Sequence, residues 1–174
     1  WAPSLASTTL MGRVRRSILA SYPSTSLRVD KQAVKVSFEQ GAHSVDVVPA
    51  IFDHFDNEHG APVYLIPDGT GRWLATAPDL HKRLVEDAHQ SSGRKLRSLV
   101  RMLKWWSASR LATYSVSSLY LEWFIIYCAL PVAFTYQESL AAIFEGMVDR
   151  RLPSLSDPFG ISQSPVHPVA SSVQ

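Results

Sequence analysis

The stretch Ala33-Val34-Lys35-Val36-Ser37-Phe38, followed by Ser44-Val45-Asp46-Val47-Val48-Pro49-Ala50, decides how the first half of this chain folds. The first segment alternates apolar and polar side chains with period two, as a half-buried β-strand does. Residues 39–43, which include a glycine, are typical of a hairpin connection. Pro49 ends regular pairing, because proline cannot donate to a β-ladder. The sequence therefore predicts two paired strands, at 33–38 and 43–48.

Asp46 is a single charged residue inside an apolar strand segment. A carboxylate among β-branched residues is costly to bury unless it is paired or binds a metal. A strand carboxylate at the edge of a sheet is also what a two-metal phosphoryl-transfer site requires. The alternative is an edge-strand aspartate that faces water. Asp46 is therefore a candidate metal ligand and catalytic residue, and both interpretations stay open at this point.

The composition is that of a globular domain. The chain has 174 residues, of which 46% are apolar and 18% are charged, and this is enough for one sizeable core. A formal net charge of +2 is too small to indicate nucleic-acid binding. With Cys128 as the single cysteine, no disulfide can form within the chain, which favours a reducing, cytoplasmic compartment. We interpret Cys128 as a small buried residue rather than a nucleophile.

Around the hairpin the sequence predicts one helix, short strands and then a run of helices. The first helix is expected at about 7–20, before Tyr22-Pro23. Residues 52–60 are polar and predict a loop, and the segments after them predict short strands at 63–67 and 73–76. Apolar periodicity from Pro78 onward predicts four helices, at about 78–91, 95–107, 117–129 and 136–150.

This order of elements is typical of an α+β fold. We divide the chain into a sheet domain at 1–76, a helical lobe at 77–151 and an irregular tail, rich in proline and serine, at 152–174. The apolar stretch 119–134 is shorter than the about 20 residues of a membrane span, and it contains Glu122. We therefore interpret it as a buried core helix and expect no association with a membrane.

Histidine and acidic residues crowd the region after the hairpin, namely His43, Asp53, His54, Asp56, Glu58 and His59. The spacing of the histidines fits no common zinc pattern, and no cysteine lies nearby. A solvated acidic loop is the better interpretation. The chain also has no Gly-x-Ser-x-Gly elbow and no Walker-type phosphate loop, which argues against the common hydrolases and P-loop enzymes.

A basic helix face forms the second candidate site. Arg97, Arg101 and Lys104 lie on neighbouring turns of the helix predicted at 95–107. A solvated basic face is one explanation, and a clamp for a triphosphate is the other. Ser118 begins the next predicted helix, where backbone N–H groups and a hydroxyl can meet an anion. Ser118 can equally be a helix cap, and the two roles are compatible.

Six segments together resemble the bacterial cyclic-oligonucleotide synthases, the CD-NTase or SMODS nucleotidyltransferase family, which is related to the oligoadenylate synthases and the polymerase-β superfamily. They run over most of residues 33–130. The order that carries the resemblance is a strand with Asp-Val-Val-Pro-Ala, then Trp…Pro…His, then Lys-Trp-Trp…Ser-x-x-x-Glu. The segments are Val34–Phe38, Ser44–Ala50, Tyr64–Asp68, Gly71–His81, Leu99–Trp106 and Ser118–Glu122.

The resemblance implies a role for each matching residue. It makes Asp46 the third metal-binding carboxylate, and Lys104 and Ser118 contacts of the donor triphosphate. From the basic helix face we add Arg101 as a further candidate nucleotide-binding residue. It makes Glu122 a residue that braces the helical lobe, with no partner assigned. It also implies that three residues join the sheet to the helical lobe, namely Trp73, Pro78 and His81.

The resemblance also implies a fold and a function. The chain would be the distal part of a polymerase-β-like nucleotidyltransferase, a partial antiparallel or mixed sheet followed by a helical lobe. The family's Gly-Ser motif and Asp-x-Asp strand are not in this chain, so we expect a truncated protein whose two-Mg²⁺ site is incomplete and which is inactive alone.

The intact enzyme would make a cyclic or linear oligonucleotide second messenger from ATP or GTP in bacterial antiphage signalling. It would use nucleoside triphosphates without a DNA or RNA template, and its product would act on a downstream effector. The alternatives are a catalytically inactive nucleotide-binding or interaction module and, thirdly, an unrelated small α+β binding domain.

Overall fold

The structure is a computed structural model, and it describes residues 4–38, 43–109, 116–131 and 134–168. The chain divides into two units, Trp1–Pro78 and Asp79–Gln174. The first unit has one helix and two antiparallel three-stranded sheets, and the second has the remaining helices and the tail. The predicted α+β class is confirmed.

The first sheet contains the two predicted paired strands and one further strand, and residues 39–42 of the predicted connection lie outside the described residues. Helix α1 spans Ser7–Ser21, and the sheet has the order β1 (Ser26–Asp30), β2 (Ala33–Phe38), β3 (His43–Val47). The register places most of the apolar residues of the three strands on one face, namely Leu27, Val29, Val34, Val36, Val45 and Val47, and most of the polar residues on the other. Helix α1 packs on β1 and β2 and buries Met11. Strand β1 was not predicted.

The second sheet has the order β4 (Ile51–Asp56), β5 (Ala61–Pro67), β6 (Trp73–Thr76). The prediction of a loop at 52–60 is wrong, because most of that segment is β4, paired with β5. The register shifts between Phe52 and His54, and this bulge breaks the alternation from which a strand is recognised. Phe52 and Phe55 remain exposed, with ring centroids 5.4 Å apart.

Asp68 organises the turn between β5 and β6. Its Oδ1 accepts the backbone N–H groups of Thr70 and Arg72, at 2.7 Å and 3.0 Å, and its Oδ2 accepts the Thr70 hydroxyl. Partial burial opposes ionisation of this carboxyl, but these hydrogen bonds outweigh it, and the pKa of Asp68 is lowered. Gly69 and Gly71 have φ of 85° and 103°, which L-residues rarely adopt.

The second unit is a helical core. Its helices are α2 (Pro78–Ser91), α3 (Leu96–Ser109), α4 (Ser118–Cys128) and α5 (Tyr136–Asp149). Five residues of α4 are buried, so the prediction of a buried core helix is confirmed. No helix in the described ranges is both long and apolar enough to cross a bilayer. The largest fully buried side chains are Leu99, Leu103, Tyr120, Leu121, Phe124 and Ile143.

Cys128 lies half-buried at the end of α4, where a methyl group on Gly146 of α5 would be 3.5 Å from its Sγ. Burial raises the pKa of its thiol.

The tail is irregular but packed. In its described part, residues 152–168, one isolated bridge joins Leu155 and Val166, and Leu155 belongs to the hydrophobic core. Asp157 is 6% exposed. Its carboxylate accepts the backbone N–H groups of Phe159 and Ser162, at 3.1 Å and 2.8 Å. The tail is therefore held to the helices by burial and by one carboxylate.

Candidate functional site

Lys104 lies at the margin of the buried face of α3. That face is formed by Leu96, Leu99, Val100, Leu103 and Ser107. The side chain of Lys104 is 37% exposed, so its stem can lie on apolar surface while its ammonium reaches the edge. Its Nζ donates a hydrogen bond to Oε1 of Glu122 on α4, at 2.5 Å.

Ser118 is the first residue of α4 and is exposed. The cap is its neighbour, Ser117, which has extended backbone and whose side chain accepts the N–H of Tyr120. The cap role considered for Ser118 is therefore wrong, because Ser118 already belongs to the first turn. Because Ser118 is exposed, its hydroxyl is accessible to a ligand.

The start of α4 is held in place from two sides. The backbone N–H of Ser117 donates to the carbonyl of Pro168 in the tail, at 3.0 Å. The backbone N–H of Val116 donates to the hydroxyl of Ser107 on α3, at 3.1 Å. The tail and α3 thus fix the position of the first turn of α4.

The structure brings Lys104 to the face of α4 that carries Ser118. Ser118 and Glu122 are four residues apart, so they lie on one face of the helix, about 6 Å apart along its axis. Lys104 contacts Glu122 directly. Lys104 therefore contacts α4 one turn after Ser118, on the same face of the helix.

The electrostatics of this region favour an anion at the start of α4. The first N–H groups of a helix have no acceptor within the helix, and the helix dipole is positive at this end. The described first turn of α4 contains no acidic residue. An anion there would meet N–H groups, a hydroxyl and an ammonium, as phosphate does at many helix starts. The carboxylate of Glu122 is the opposing charge.

Arg101 is not placed with this group. It lies one turn before Lys104 on α3, is exposed, and donates its Nε–H to the carbonyl of Arg97 at 3.3 Å. Its side chain lines an apolar groove with Trp105 and Phe144 among others. Arg97 pairs with Glu86 at 2.5 Å. The three basic residues that were predicted to share one face therefore contact different neighbours.

Asp46 lies in the first unit, on the polar face of the first sheet. In the register of the strands it stands opposite Lys35, which stands opposite Arg28. Asp46 is exposed, and β3 is an outer strand of the sheet in the described part of the chain. The carboxylate is thus accessible to a ligand and free of the desolvation cost that its apolar neighbours suggested.

The histidine and acidic cluster forms local pairs instead of a metal site. Asp53 pairs with His54 at 3.0 Å, and Asp56 with His59 at 2.7 Å. The backbone N–H of His59 also donates to Asp56, and this hydrogen bond is the first cause of the lowered pKa of Asp56. Across residues 4–38, 43–109, 116–131 and 134–168, no group of three His, Cys, Asp or Glu residues could hold a metal ion.

Two relationships were missed from the sequence. The partner of Glu122 is Lys104, 18 residues earlier. His81 lies against Trp123, with ring centroids 5.3 Å apart, and its Nε2 is 3.4 Å from Oδ1 of Asp157. His81 was expected to join sheet and lobe, and within the second unit it contacts α4 and the tail. Nothing in the local sequence pattern indicates either contact.

The comparisons with known proteins agree with this fold. No family model matches the chain. Over 111 residues, 62% of this chain, it is 26% identical to a probable cyclic nucleotide synthase of Bacillus cereus (strain VD146), and it spans 33% of that relative.

Solved structures resemble the chain over nearly its whole length. Escherichia coli DncV in its 3'-deoxy GTP bound form matches with a TM-score of 0.74 at 16% identity, over 99% of this chain and 48% of that one. Vibrio cholerae DncV cyclic AMP-GMP synthase, in complex with the linear intermediate 5' pppA(3',5')pG, matches with 0.68 at 15%, over 89% and 45%. The chain thus spans less than half the length of these relatives. It has the fold of part of a DncV-type nucleotidyltransferase, and its resemblance to the bacterial cyclic-oligonucleotide synthases is confirmed.

Proposed function

We propose that this chain is part of a nucleotidyltransferase that makes a cyclic or linear oligonucleotide from ATP or GTP. The observation that carries the proposal is the contact of Lys104 with Glu122 of α4, on the helix face that also carries Ser118. It occurs in a chain whose fold matches that of nucleotide-bound DncV. The product would be a second messenger that acts on an effector, in defence against phage, in the cytoplasm and without a DNA or RNA template.

Lys104 and the start of α4 would bind and orient the donor triphosphate. The ammonium and the N–H groups would share the charge of the phosphate oxygens, and the Ser118 hydroxyl would donate one more hydrogen bond. Holding the triphosphate in one place is most of what a protein contributes to such a transfer, because the reaction depends on alignment and charge stabilisation. Arg101 would add positive potential near the phosphates without a fixed contact.

Mg²⁺ is the proposed cofactor, and the described residues alone do not complete its site. Asp46 is an exposed carboxylate on the outer strand of the first sheet, and it would be one ligand. The resemblance implies further carboxylates, on an Asp-x-Asp strand that this sequence does not contain. When bound, such a pair of ions supplies positive charge to the attacking and leaving oxygens.

The test is the affinity for ATP of the full-length protein, measured by calorimetry. Lys104→Ala should weaken binding by about 1.5–3 kcal/mol, the range for hydrogen bonds to charged groups. Lys82→Ala is the matched control, because Lys82 is an exposed lysine on α2 of the same unit. If wild type and Lys104→Ala bind ATP equally well, the basic residues of α3 form a solvated face and no triphosphate site.

A catalytically inactive nucleotide-binding or interaction module is the second candidate. It is favoured by the single candidate carboxylate and by the lack of any three-ligand group in the described residues. This module would bind ATP through Lys104 but release no pyrophosphate. Binding without turnover by the full-length protein, with Mg²⁺ present, would therefore decide for it.

A further inference from the structure

The lysine proposed to bind phosphate already has an anionic partner. The Nζ of Lys104 lies 2.5 Å from Oε1 of Glu122, and the side chains are 37% and 28% exposed. The pair therefore sits at the protein surface but is partly withdrawn from water. Glu122 is on the same face of α4 as Ser118, one turn further along. Any phosphate that reaches Lys104 from the start of α4 must approach this carboxylate.

The geometry makes Glu122 a competitor of the phosphate. An ammonium has three donors and no acceptor, so Lys104 can turn from one acceptor to another without losing charge. The carboxylate of Glu122 also repels a nearby polyanion. Because the site is partly withdrawn from water, this repulsion is stronger there than it would be in open solvent. Both effects lower the affinity of the site for phosphate.

We propose that Glu122 is a counter-ion that Lys104 exchanges for the phosphates of the nucleotide. This inference rests on the proposed function and adds a group that limits the affinity of the site for phosphate. In the free protein Glu122 holds the ammonium at the edge of α4 and neutralises it. When a triphosphate binds, Lys104 turns toward it, and when the phosphates leave, Lys104 returns to Glu122. The pair thereby keeps the site from binding polyphosphate too tightly to release it.

The opposite role would be that of a bracing residue. In that case Glu122 would fix the Lys104 ammonium in the position that phosphate needs, and its loss would weaken binding. The two roles predict changes of opposite sign, so one substitution separates them.

The experiment is calorimetric binding of inorganic triphosphate to the full-length protein. Glu122→Gln keeps the size of the side chain and removes its charge, and we expect about tenfold tighter binding. Glu122→Asp shortens the side chain and withdraws the carboxylate from Lys104, so triphosphate affinity should increase less than in Glu122→Gln. Glu145→Gln is the matched control, because it removes the same charge from an exposed position on α5 of the same unit. It should leave the affinity unchanged.

A double substitution tests whether the effect passes through Lys104. In a Lys104→Ala background, Glu122→Gln should give a smaller increase in triphosphate affinity, because the repulsion by the carboxylate is still relieved but no ammonium remains to be released. Weaker triphosphate binding by Glu122→Gln, an equal gain in affinity from Glu145→Gln, or an undiminished gain without Lys104 would each overturn the exchange. If Lys104→Ala binds as well as wild type, the proposed function fails as well. A Lys104→Ala loss with no change in Glu122→Gln would leave that function intact and reject the exchange alone.

Discussion

Oδ1 of Asp157 lies 3.4 Å from Nε2 of His81, and the side chain of Asp157 is fully withdrawn from water. This contact joins the tail to α2 across 76 residues of sequence. The same carboxylate accepts two backbone N–H groups of the tail. One side chain therefore fixes a segment that has almost no regular structure of its own.

Asp157→Ala should destabilise the second unit. The substitution leaves the N–H groups of Phe159 and Ser162 without their acceptor in a half-buried region, and an unsatisfied buried group costs about 1–3 kcal/mol. Urea denaturation measures the change. Asp87→Ala, at an exposed position on α2, is the control and should stay within about 0.5 kcal/mol of wild type. A wild-type midpoint for Asp157→Ala would mean that the tail does not depend on this carboxylate.

Asp46→Asn should abolish catalysis without unfolding the protein. It keeps the shape and removes the charge, so nucleotidyl transfer by the full-length enzyme should fall about 1,000-fold or more if Asp46 binds metal. Because Asp46 is exposed, the free energy of unfolding should change by less than about 0.5 kcal/mol. Asp30→Asn, an exposed aspartate of β1 in the same sheet, is the control. Near-normal transfer by Asp46→Asn would reject the assignment.

Thr135→Ala should weaken the start of α5. The Thr135 hydroxyl accepts the N–H of Glu138, and the Glu138 carboxylate accepts the N–H of Thr135 at 2.7 Å, which is a complete capping box. Loss of a threonine cap costs about 1 kcal/mol. Thermal unfolding checks this, with Thr135→Ser as the control that keeps the hydroxyl. Equal stability of the alanine variant would mean that α5 starts without help from the cap.

The same box predicts a pH dependence. The backbone hydrogen bond from Thr135 is the first cause of the lowered pKa of Glu138, followed by its hydroxyl. A lowered folded-state pKa contributes stability above the ordinary value of 4.5, and this is lost as the pH falls through the folded-state pKa. Wild type should exceed Glu138→Gln in stability at pH 6, and the two should converge in acid. Glu145→Gln, at an exposed site of α5, should show no such convergence.

The 174-residue chain by itself should transfer no nucleotide. The Gly-Ser loop and the Asp-x-Asp strand that the resemblance implies are not in its sequence. Incubation with ATP, GTP and Mg²⁺, followed by a pyrophosphate assay, tests this directly. Release above background would indicate a site built from other residues, with Asp53, Asp56 and Glu58 as the first to substitute.

Regular periodicity predicted most helices and the central hairpin, because one buried face imposes a repeat on the sequence. The same repeat was present in β1, where Leu27 and Val29 alternate with polar residues, and it could have been recognised. Strand β4 could not be recognised in this way. Its bulge shifts the register, and its Asp53 and His54 pair with each other as loop residues often do.

The candidate site was only partly predictable. Spacing placed Arg101 and Lys104 on one helix and Ser118 at the start of another. The contact of Lys104 with Glu122 depends on how α3 and α4 pack, and no local pattern encodes that distance. The burial of Asp157 depends likewise on where the tail turns back onto the helices. Contacts between distant segments are decided by packing, so single-sequence periodicity leaves them open.

The thiol of Cys128 can report the separation of α4 and α5 through its rate of alkylation. Thiolate is the form that alkylating reagents attack, and the raised pKa leaves little of it at neutral pH while α4 and α5 stay together. Separation of the two helices hydrates the thiol and restores its ordinary acidity. Since the chain has one cysteine, which is half-buried while α4 and α5 stay together, an increase in the rate of iodoacetamide labelling reports their separation.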